Sequence, residues 1–502
     1  MPTPRNAVLV TVDSLRADVL DGAAPTPTMD ALADRGTVFE TAFAGGNWTP
    51  FSFPGLLGSR PVFVDHGGLG PGAAPTLAEA LADAGYATAG FNAANGFLTR
   101  LWDYDRGFDR FDAFIDDPTS RYGAYLAAHP TLQAWRDLAA APVRRLAAGL
   151  AGEGDAQPFM DASHTLDVER HAVDFVETAA AIDSPFFLWV HYMDAHTPYA
   201  PAPRYLRRVA DGGRRSLLRM LWAHVRTGLG HQVGDRTLRT LRTLYRAAVL
   251  QADDSLSRVL DALSAAGIRD ETVVVLAGDH GEEFMEHGHL AHYPKLYDEL
   301  VHVPLVIDAP GAAGGRAAAP VALADVPPTV CDLLDAPVPD GWAGESRAPR
   351  LRAGTAGGGR GSGAGAPVGG AADAAGGAAA DPVVSVAVRG DSVTTQPIPR
   401  HPNEGNLLVS ARTDRWVYIE TVATGEAELY DRRADPTQQE ELLAAGRRPA
   451  ALDDLRRAVA ARAAAVERAV ADDADDGDRG DGRRAVDDAG GVATRLDALG
   501  YR

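Results

Sequence analysis

Three short apolar runs in this chain each stop at side chains that can bind a metal ion. Continuous runs rich in β-branched and aromatic residues predict buried strands of a parallel sheet. Because sites in parallel sheets form beyond the carboxyl ends of the strands, we expect these ends to meet in one crevice. The runs are AVLVTV (7–12), PFFLWVHY (185–192) and TVVVLA (272–277), and the candidate residues at their ends are Asp13, His191, Asp194, His196, Asp279 and His280.

Helical patterns alternate with these strands along the chain. Strands that alternate with helices are typical of a parallel sheet covered on both faces. The sequence therefore predicts an α/β fold with a large, mostly parallel mixed sheet flanked by helices. The predicted helices cover 26–36, 76–85, 166–182 and 239–267, and further strands cover 86–91 and 303–307.

The composition changes sharply after the last of these strands. Residues 353–380 are almost wholly Gly and Ala, which is typical of a flexible linker or insertion. Strand-like segments at 383–388 and 415–421 predict a small antiparallel subdomain, and 450–470 predicts a helix. We also expect a helical insertion at 113–165 and a disordered acidic stretch at 472–490. The predicted segments are a main domain at 1–345, a Gly/Ala-rich segment at 346–382, a C-terminal α+β subdomain at 383–445, and a helix with an acidic tail at 446–502.

The composition also limits the class of protein. The formal net charge is −20, which argues against nucleic acid as a partner because phosphate backbones are bound by clustered positive charge. Cys331 is the single cysteine, so an intrachain disulfide and a cysteine-based zinc site are both excluded. Lys295 is the single lysine, and an acidic chain with Arg in place of Lys favours a salt-adapted source. No signal peptide or membrane-spanning run is apparent, so we expect a cytoplasmic protein without an integral membrane segment.

The candidate side chains at the strand ends mix carboxylates with imidazoles. This donor set suits a divalent transition metal, whereas Mg²⁺ and Ca²⁺ prefer sites made wholly of oxygen. We therefore expect a divalent metal cofactor, with Mn or Zn preferred over Ca or Mg.

Seven segments of the chain, in the same order, resemble the sulfatase/alkaline-phosphatase superfamily. Among them are NAVLVTVDSLRADVL (6–20), WTPFSFPGLLGSR (48–60) and the long segment at 273–307 that begins VVVLAGDHGEEF. The resemblance implies the α/β fold of that family and a metal-dependent hydrolase that acts on ester bonds. The remaining similar segments are 26–44, 187–199, 324–334 and 428–443.

The resemblance also implies a metal site and a nucleophile. Asp13, Asp279 and His280 stand at the positions of the family's metal ligands. Thr49 stands at the position of its nucleophile, which is also a metal ligand. A hydroxyl is a poor nucleophile at its ordinary pKa, and coordination to a divalent cation lowers that pKa. The resemblance therefore implies a covalent intermediate on Thr49.

Three further positions are implied to contact the substrate or its leaving group. His196 and His292 fall where such side chains stand in the family, and both are catalytic candidates. His196 is also a substrate-binding candidate, as is Lys295, which lies about one residue from the position of the family's active-site lysine. The substrate expected is a small-molecule, glycan or lipid ester; the oligomeric state is not indicated.

The segment around Thr49 departs from that of the sulfatases proper. Those enzymes mature a Cys or Ser to formylglycine, and Thr cannot follow that route. Many sulfatases also carry paired aspartates at the first strand, whereas Asp13 is followed by Ser14. Both departures are similar to the phosphodiesterase and phosphoglycerol-transferase branches, so we expect cleavage of phosphate mono- or diesters. The alternatives are a sulfatase, a transferase of phospho-head groups, and a non-enzymatic binding module that keeps the fold.

Other polar, aromatic and thiol side chains are better explained by structure than by chemistry. His191 is predicted to be a core or supporting histidine, and Asn92 and Asn95 are weaker candidates for the pocket. We expect Asp253 and Asp254 to be solvated or to cap a helix, Trp48 and Phe51 to pack around the nucleophile, and Cys331 to lie in the core.

Overall fold

The computed structural model describes the chain in several ranges. The predicted insertion at 113–165 and the Gly/Ala stretch at 353–380 lie almost entirely outside them. Of the acidic stretch at 472–490, residues 472–478 are described and continue the helix Leu452–Asp478, so the predicted disorder is wrong for them. None of the helices in these ranges combines the length and the apolar character needed to cross a membrane. The described residues are 4–115, 164–209, 222–223, 226, 233–312, 314–353, 381–390 and 398–478.

The main sheet contains eight strands in the order β12-β2-β11-β7-β1-β6-β4-β5. Strands β7, β1, β6, β4 and β5 run parallel, whereas β11 runs antiparallel to both of its neighbours. The mostly parallel mixed sheet predicted from the sequence is therefore confirmed. Its strands are β1 (Asn6–Val12), β2 (Thr37–Phe39), β4 (Ala87–Asn92), β5 (Arg110–Asp112), β6 (Phe186–Tyr192), β7 (Thr272–Gly278), β11 (Leu305–Asp308) and β12 (Gly315–Ala317).

Alternate side chains of β1 enter different hydrophobic clusters on the two faces of the sheet. Leu9 packs with one cluster, while Val8 and Val10 pack with the other. Since side chains of a strand point alternately to opposite faces, burial of both faces requires an unbroken apolar run. This explains why the sequence shows runs without polar alternation.

Helices cover both faces of the sheet. The longest, Asp235–Ala265, corresponds to the helix predicted at 239–267. Val326–Leu333 contains Cys331, which is fully buried as expected. The helices are α1 (Pro27–Arg35), α2 (Thr49–Gly58), α3 (Leu77–Asp83), α4 (Thr165–Ala181), α5 (Pro203–Val209), α6 (Asp235–Ala265), α7 (Asp298–Val301), α8 (Val326–Leu333), α9 (Ala348–Ala353) and α10 (Leu452–Asp478).

Helix α1 is capped by a residue from a distant part of the chain. Asp253 of α6 accepts hydrogen bonds from the backbone N–H groups of Thr28 and Met29 at 3.0 and 2.8 Å. These are orphan donors of the first helical turn, and a carboxylate there is favoured by the helix dipole. The capping role expected for Asp253 is confirmed, although its side chain is buried and not solvated.

The strand predicted at 303–307 is divided at Pro304. β10 (His302–Val303) and β11 (Leu305–Asp308) belong to different sheets. Proline has no N–H to donate to a ladder, which accounts for the break. The two smaller sheets formed here comprise β10, β3 (Ala42–Phe43) and β13 (Val321–Ala322), and β8 (Glu283–Phe284) with β9 (Leu290–Ala291).

The C-terminal sheet is antiparallel, as predicted, and shares its core with the rest of the chain. Its first strand contacts the segment before α2, where the Val386 N–H donates to the Gly45 carbonyl at 2.8 Å. Trp48 and Phe51 pack in one cluster with this sheet and helix α10, which agrees with the packing role expected for both. The four-segment division stays a prediction. The strands are β14 (Val383–Arg389), β15 (Asn406–Arg412), β16 (Trp416–Thr421) and β17 (Glu426–Asp431).

Candidate active site

The carboxyl ends of three adjacent strands lie at one level of the sheet. Val12 of β1 is in register with Tyr192 of β6 and with Gly278 of β7. The residues that follow therefore emerge side by side, which places Asp13 next to Asp279. Gly278 is required there by space, since a Cβ would lie 2.6 Å from the backbone oxygen of Leu15.

Asp13, Asp279 and His280 form a compact cluster. One donor atom from each lies within 4.8 Å of the others. His280 Nε2 is 3.3 Å from Asp13 Oδ1 and 3.8 Å from Asp279 Oδ2. All three side chains are almost completely buried, at 1% exposure or less. The strand ends expected to meet in one crevice are thus brought together.

The Thr49 hydroxyl lies against this cluster. Its Oγ1 donates to Asp13 Oδ2 at 3.1 Å and lies 3.5 Å from His280 Nε2. Thr49 begins helix α2, and Pro50 follows it in the first turn, where proline suits a helix start. An anionic group at Thr49 would therefore meet the N-terminal end of the helix, which favours negative charge.

Asn95 is a site residue that sequence reasoning ranked too low. Its Nδ2 donates to Asp13 Oδ2 at 3.0 Å and approaches Thr49 Oγ1 at 3.4 Å. Asn92, at the end of β4, fixes this position because its Oδ1 accepts from the Asn95 backbone N–H at 2.9 Å. The available signal was that an Asn follows a fourth parallel strand at the same edge of the sheet.

His191 lies between Asp13 of the cluster and Thr11 of β1. Its Nε2 lies 3.7 Å from Asp13 Oδ2, and its Nδ1 lies 2.9 Å from Thr11 Oγ1. The ring is fully buried. Its position agrees with the supporting role that we predicted.

His196 and His292 lie next to each other beside the cluster. Their ring centroids are 4.8 Å apart, and the His292 ring is 5.1 Å from that of His280. His196 Nδ1 donates to the Thr197 carbonyl at 2.5 Å. The two histidines predicted to contact the substrate thus lie together, and His292 lies next to the predicted metal ligand His280.

Glu282 lies behind His292 and was not singled out from the sequence. Its Oε2 is 3.4 Å from His292 Nδ1, and its Oε1 accepts from the Tyr199 hydroxyl at 2.6 Å. The carboxylate is fully buried. Its position in the Asp-His-Gly-Glu run of residues 279–282 was the available signal.

Lys295 has a different set of neighbours. Its ammonium group lies 3.4 Å from Glu283 Oε2, donates to the His287 carbonyl, and lies over the rings of Tyr293 and Tyr297. These neighbours are not members of the cluster. Its predicted contact with the substrate stays a prediction.

Asp194 is held away from the cluster by its hydrogen bonds. Its Oδ2 accepts from the Thr165 hydroxyl at 2.5 Å and its Oδ1 accepts from Gln251 Nε2 at 2.7 Å. Of the polar residues at the end of β6, His191 contacts Asp13 and His196 lies beside His292.

The charged groups of the cluster shift one another's pKa values. Burial raises the pKa of Asp13, but His196, His191 and His280 more than offset this and hold it well below its usual range. Burial and the charge of Asp13 raise the pKa of Asp279. Burial lowers the pKa of His196 to about 4, so this ring is neutral near neutral pH.

The cluster fits a divalent metal ion. Asp279 Oδ2 is buried without a hydrogen-bond partner among the described residues. A buried, unpaired carboxylate oxygen is costly unless a cation is bound. With the adjacent Asp13 carboxylate, the His280 imidazole and the Thr49 hydroxyl, it forms a mixed oxygen and nitrogen donor set of the kind that Mn²⁺ or Zn²⁺ accepts.

Comparisons with known proteins agree with this fold and motif pattern. Residues 5–336 match the Sulfatase family model. The chain is 29% identical to the uncharacterized sulfatase YidJ of Escherichia coli over 36% of this chain and 37% of that protein. It is 35% identical to arylsulfatase K of Danio rerio over 23% of this chain and 22% of that one. The matched region thus spans less than two fifths of each of these relatives.

The fold is similar to that of a phosphonate monoester hydrolase of Agrobacterium radiobacter. The TM-score is 0.62 at 22% identity, covering 92% of this chain and 95% of the other. A structural match at this sequence identity supports a shared fold alone. The family model, in contrast, covers more than half of the chain. The chain belongs to the sulfatase family.

Proposed function

We propose that this protein is a metal-dependent hydrolase that cleaves phosphate esters through a covalent intermediate on Thr49. The observation that carries the proposal is the hydrogen bond from Thr49 Oγ1 to Asp13 Oδ2 at 3.1 Å, beside Asp279 and His280. A hydroxyl at a helix start, held against buried carboxylates, is suited to nucleophilic attack.

Asp13, Asp279, His280 and Thr49 would hold the cation. When bound, it would supply positive charge that lowers the pKa of the hydroxyl and offsets charge on the ester oxygens. Zn²⁺ or Mn²⁺ suits the donor set better than Mg²⁺ or Ca²⁺.

The chain's own groups perform the remaining steps. Thr49 Oγ1 loses its proton to water and attacks phosphorus, and the bond from phosphorus to the leaving oxygen breaks. Asn95 Nδ2, 3.4 Å from Thr49 Oγ1, can donate to an oxygen of the transferred group. His292 donates a proton to the leaving alcohol and His196 contacts the ester, since both adjoin the cluster. Water then hydrolyses the phosphoryl-Thr49 ester.

A sulfatase is the second candidate, and the arylsulfatase K match supports it. Thr49 counts against the formylglycine route, because its secondary hydroxyl cannot yield that aldehyde. The natural substrate, whether a small molecule, a glycan or a lipid ester, and the cytoplasmic location expected from the sequence stay predictions.

The test compares wild type with Thr49→Ala, Thr49→Ser and Thr49→Val on aryl phosphodiester, phosphomonoester and sulfate substrates. We expect Ser to retain turnover, and Ala and Val to lose it while thermal unfolding stays close to that of wild type. Turnover by Thr49→Ala at the wild-type rate would remove Thr49 from the mechanism. Dominant sulfate cleavage would favour the second candidate.

A further inference from the structure

The segment that leads into Thr49 is held by backbone hydrogen bonds on two sides. The Ala44 N–H donates to the Val301 carbonyl at 2.8 Å, and the Gly45 carbonyl accepts from the Val386 N–H at 2.8 Å. These partners come from different parts of the chain and fix the path of the segment between them. A side chain carried by this segment therefore starts from a well-anchored backbone.

Asn47, two residues before Thr49, connects this segment to the loop at 285–295. Its Nδ2 donates to the His292 carbonyl at 3.1 Å and approaches the Tyr293 carbonyl at 3.4 Å. The Asn47 side chain is 0% exposed, so solvent does not compete for these bonds, and hydrogen bonds are stronger in such surroundings. One amide thus joins the nucleophile segment to the backbone of the proposed proton donor.

The loop that contains His292 depends on contacts from outside. Ala291 directly before it and Met285 at the start of the loop have φ angles of 64° and 69°. Residues with a Cβ seldom adopt this conformation, and it persists where the surrounding structure holds it. Glu282 holds the His292 ring, with its Oε2 3.4 Å from Nδ1, and Asn47 holds the His292 carbonyl.

The second polar atom of the Asn47 amide has no partner. Its Oδ1 is buried without a hydrogen bond among the residues that the structure describes. An unpaired buried acceptor lowers stability, so stability alone would favour an apolar side chain of the same shape here. The amide is better explained by what its Nδ2 holds in place.

We propose that Asn47 is a positioning residue for proton transfer to the leaving group. It fixes the backbone of His292 relative to Thr49, so that the imidazole can give its proton to the leaving oxygen as the bond from phosphorus to that oxygen breaks. Asn47 acts through His292 and not on the ester. This inference rests on the proposed function and adds to it a residue outside the metal cluster.

The experiment uses Asn47→Leu, which keeps the branched shape and removes both the donor and the unpaired acceptor. The substrates are methyl phenyl phosphate, whose leaving group needs a proton, and methyl 4-nitrophenyl phosphate, whose leaving group does not. We expect kcat/KM to fall roughly tenfold or more for the phenyl ester and less than about threefold for the 4-nitrophenyl ester. Metal content and thermal unfolding should stay close to those of wild type.

Thr41→Val is the matched control. It removes a buried side-chain donor to a carbonyl, the bond from Thr41 Oγ1 to Ala318 at 2.7 Å, without touching His292. We expect the ratio of the two kcat/KM values to stay at the wild-type value in this variant. If Asn47→Leu does not fold, Asn47→Ala takes its place.

Hydrogen exchange of the peptide around His292 supplies a readout that does not need turnover. Exchange there should become faster in the Asn47 variant and not in Thr41→Val, because the loop loses a contact that holds it. Equal slowing of both esters by the Asn47 variant, or unchanged exchange around His292, overturns the inference. The proposed function fails separately if wild type cleaves neither ester or if Thr49→Ala retains turnover.

Discussion

Replacing Asp279 by Asn should weaken metal binding and at the same time stabilise the metal-free protein. Asp279 Oδ1 accepts backbone hydrogen bonds from Ser14 and His280 at 3.1 and 2.7 Å, and an Asn oxygen can keep both. The change is thus confined to the buried, unpartnered Oδ2 and to one unit of negative charge. Few substitutions alter charge in this site with so little change of shape.

The magnitudes follow from the size of the cluster. Unit charges about 4 Å apart interact by about 4 kcal/mol at an effective dielectric constant near 20. Loss of one carboxylate should therefore weaken metal binding about a thousandfold or more. Without metal, the charges of Asp13 and Asp279 oppose each other across at most 4.8 Å. Removing one ends this repulsion but also the attraction between Asp279 and His280 at 3.8 Å, so the apo protein should be stabilised by about 1 kcal/mol.

The pH dependence of apo stability supplies a second signature. Burial and Asp13 raise the pKa of Asp279 in the folded state. A raised carboxyl pKa stabilises the fold below the unfolded pKa, and this stability is lost as pH rises through the folded pKa. The metal-free wild type should lose stability over that range, whereas Asp279→Asn should lose less.

The assay is thermal unfolding of chelator-treated and metal-loaded samples, with elemental analysis of metal content. Without metal, the Asp279→Asn variant should melt at a higher temperature than wild type. Adding metal should raise its melting temperature much less than it raises that of wild type. Unchanged metal content would remove Asp279 from the ligand set. An apo protein less stable than wild type at neutral pH would show that the two carboxylates do not repel each other as reasoned.

Three further predictions concern the surroundings of the cluster. Glu282 contacts His292 and should position it as the proton donor to the leaving group. Glu282→Gln should therefore slow cleavage of alkyl esters, whose leaving groups need that proton, more than cleavage of 4-nitrophenyl esters. Equal slowing of both would contradict this positioning role. Gly281→Ala would place a Cβ 2.1 Å from the Glu299 carbonyl oxygen, so metal content and stability should both fall; retention of both would contradict this. Asp298→Asn would leave two buried arginines short of their partner and destabilise the protein by about 3–5 kcal/mol in urea unfolding. Because those arginines outweigh burial and lower the pKa of this carboxyl, wild-type stability should fall as pH drops below the usual carboxyl range, and the variant should lose less.

The sheet and the cluster could be predicted because the sequence pattern is local there. Apolar runs that end at Asp13 and Asp279 indicate buried parallel strands, and parallel strands bring their carboxyl ends to one edge. The register of β1 with β6 and β7, which brings these ends to one level, comes from the structure.

The surroundings of the cluster depend on tertiary structure that no local pattern records. The segment from β8 to Lys295 contains Met285 and Ala291 at positive φ angles of 69° and 64°. Neither residue is typical of that conformation. The sequence spacing therefore could not predict the backbone path of this segment, which brings His292 to the cluster and places Lys295 beside Glu283. The cap of α1 by Asp253 likewise joins residues far apart in the chain.

The contact between β14 and the segment before α2 has a consequence for biosynthesis. Gly46, three residues before Thr49, lies so close to Val386 that a Cβ would be 2.5 Å from its backbone oxygen. On the ribosome, the proposed nucleophile Thr49 therefore emerges hundreds of residues before the strand that packs against this segment. A nascent chain that ends before β14 would contain every predicted metal ligand. It would still lack the strand that packs against the segment leading into Thr49.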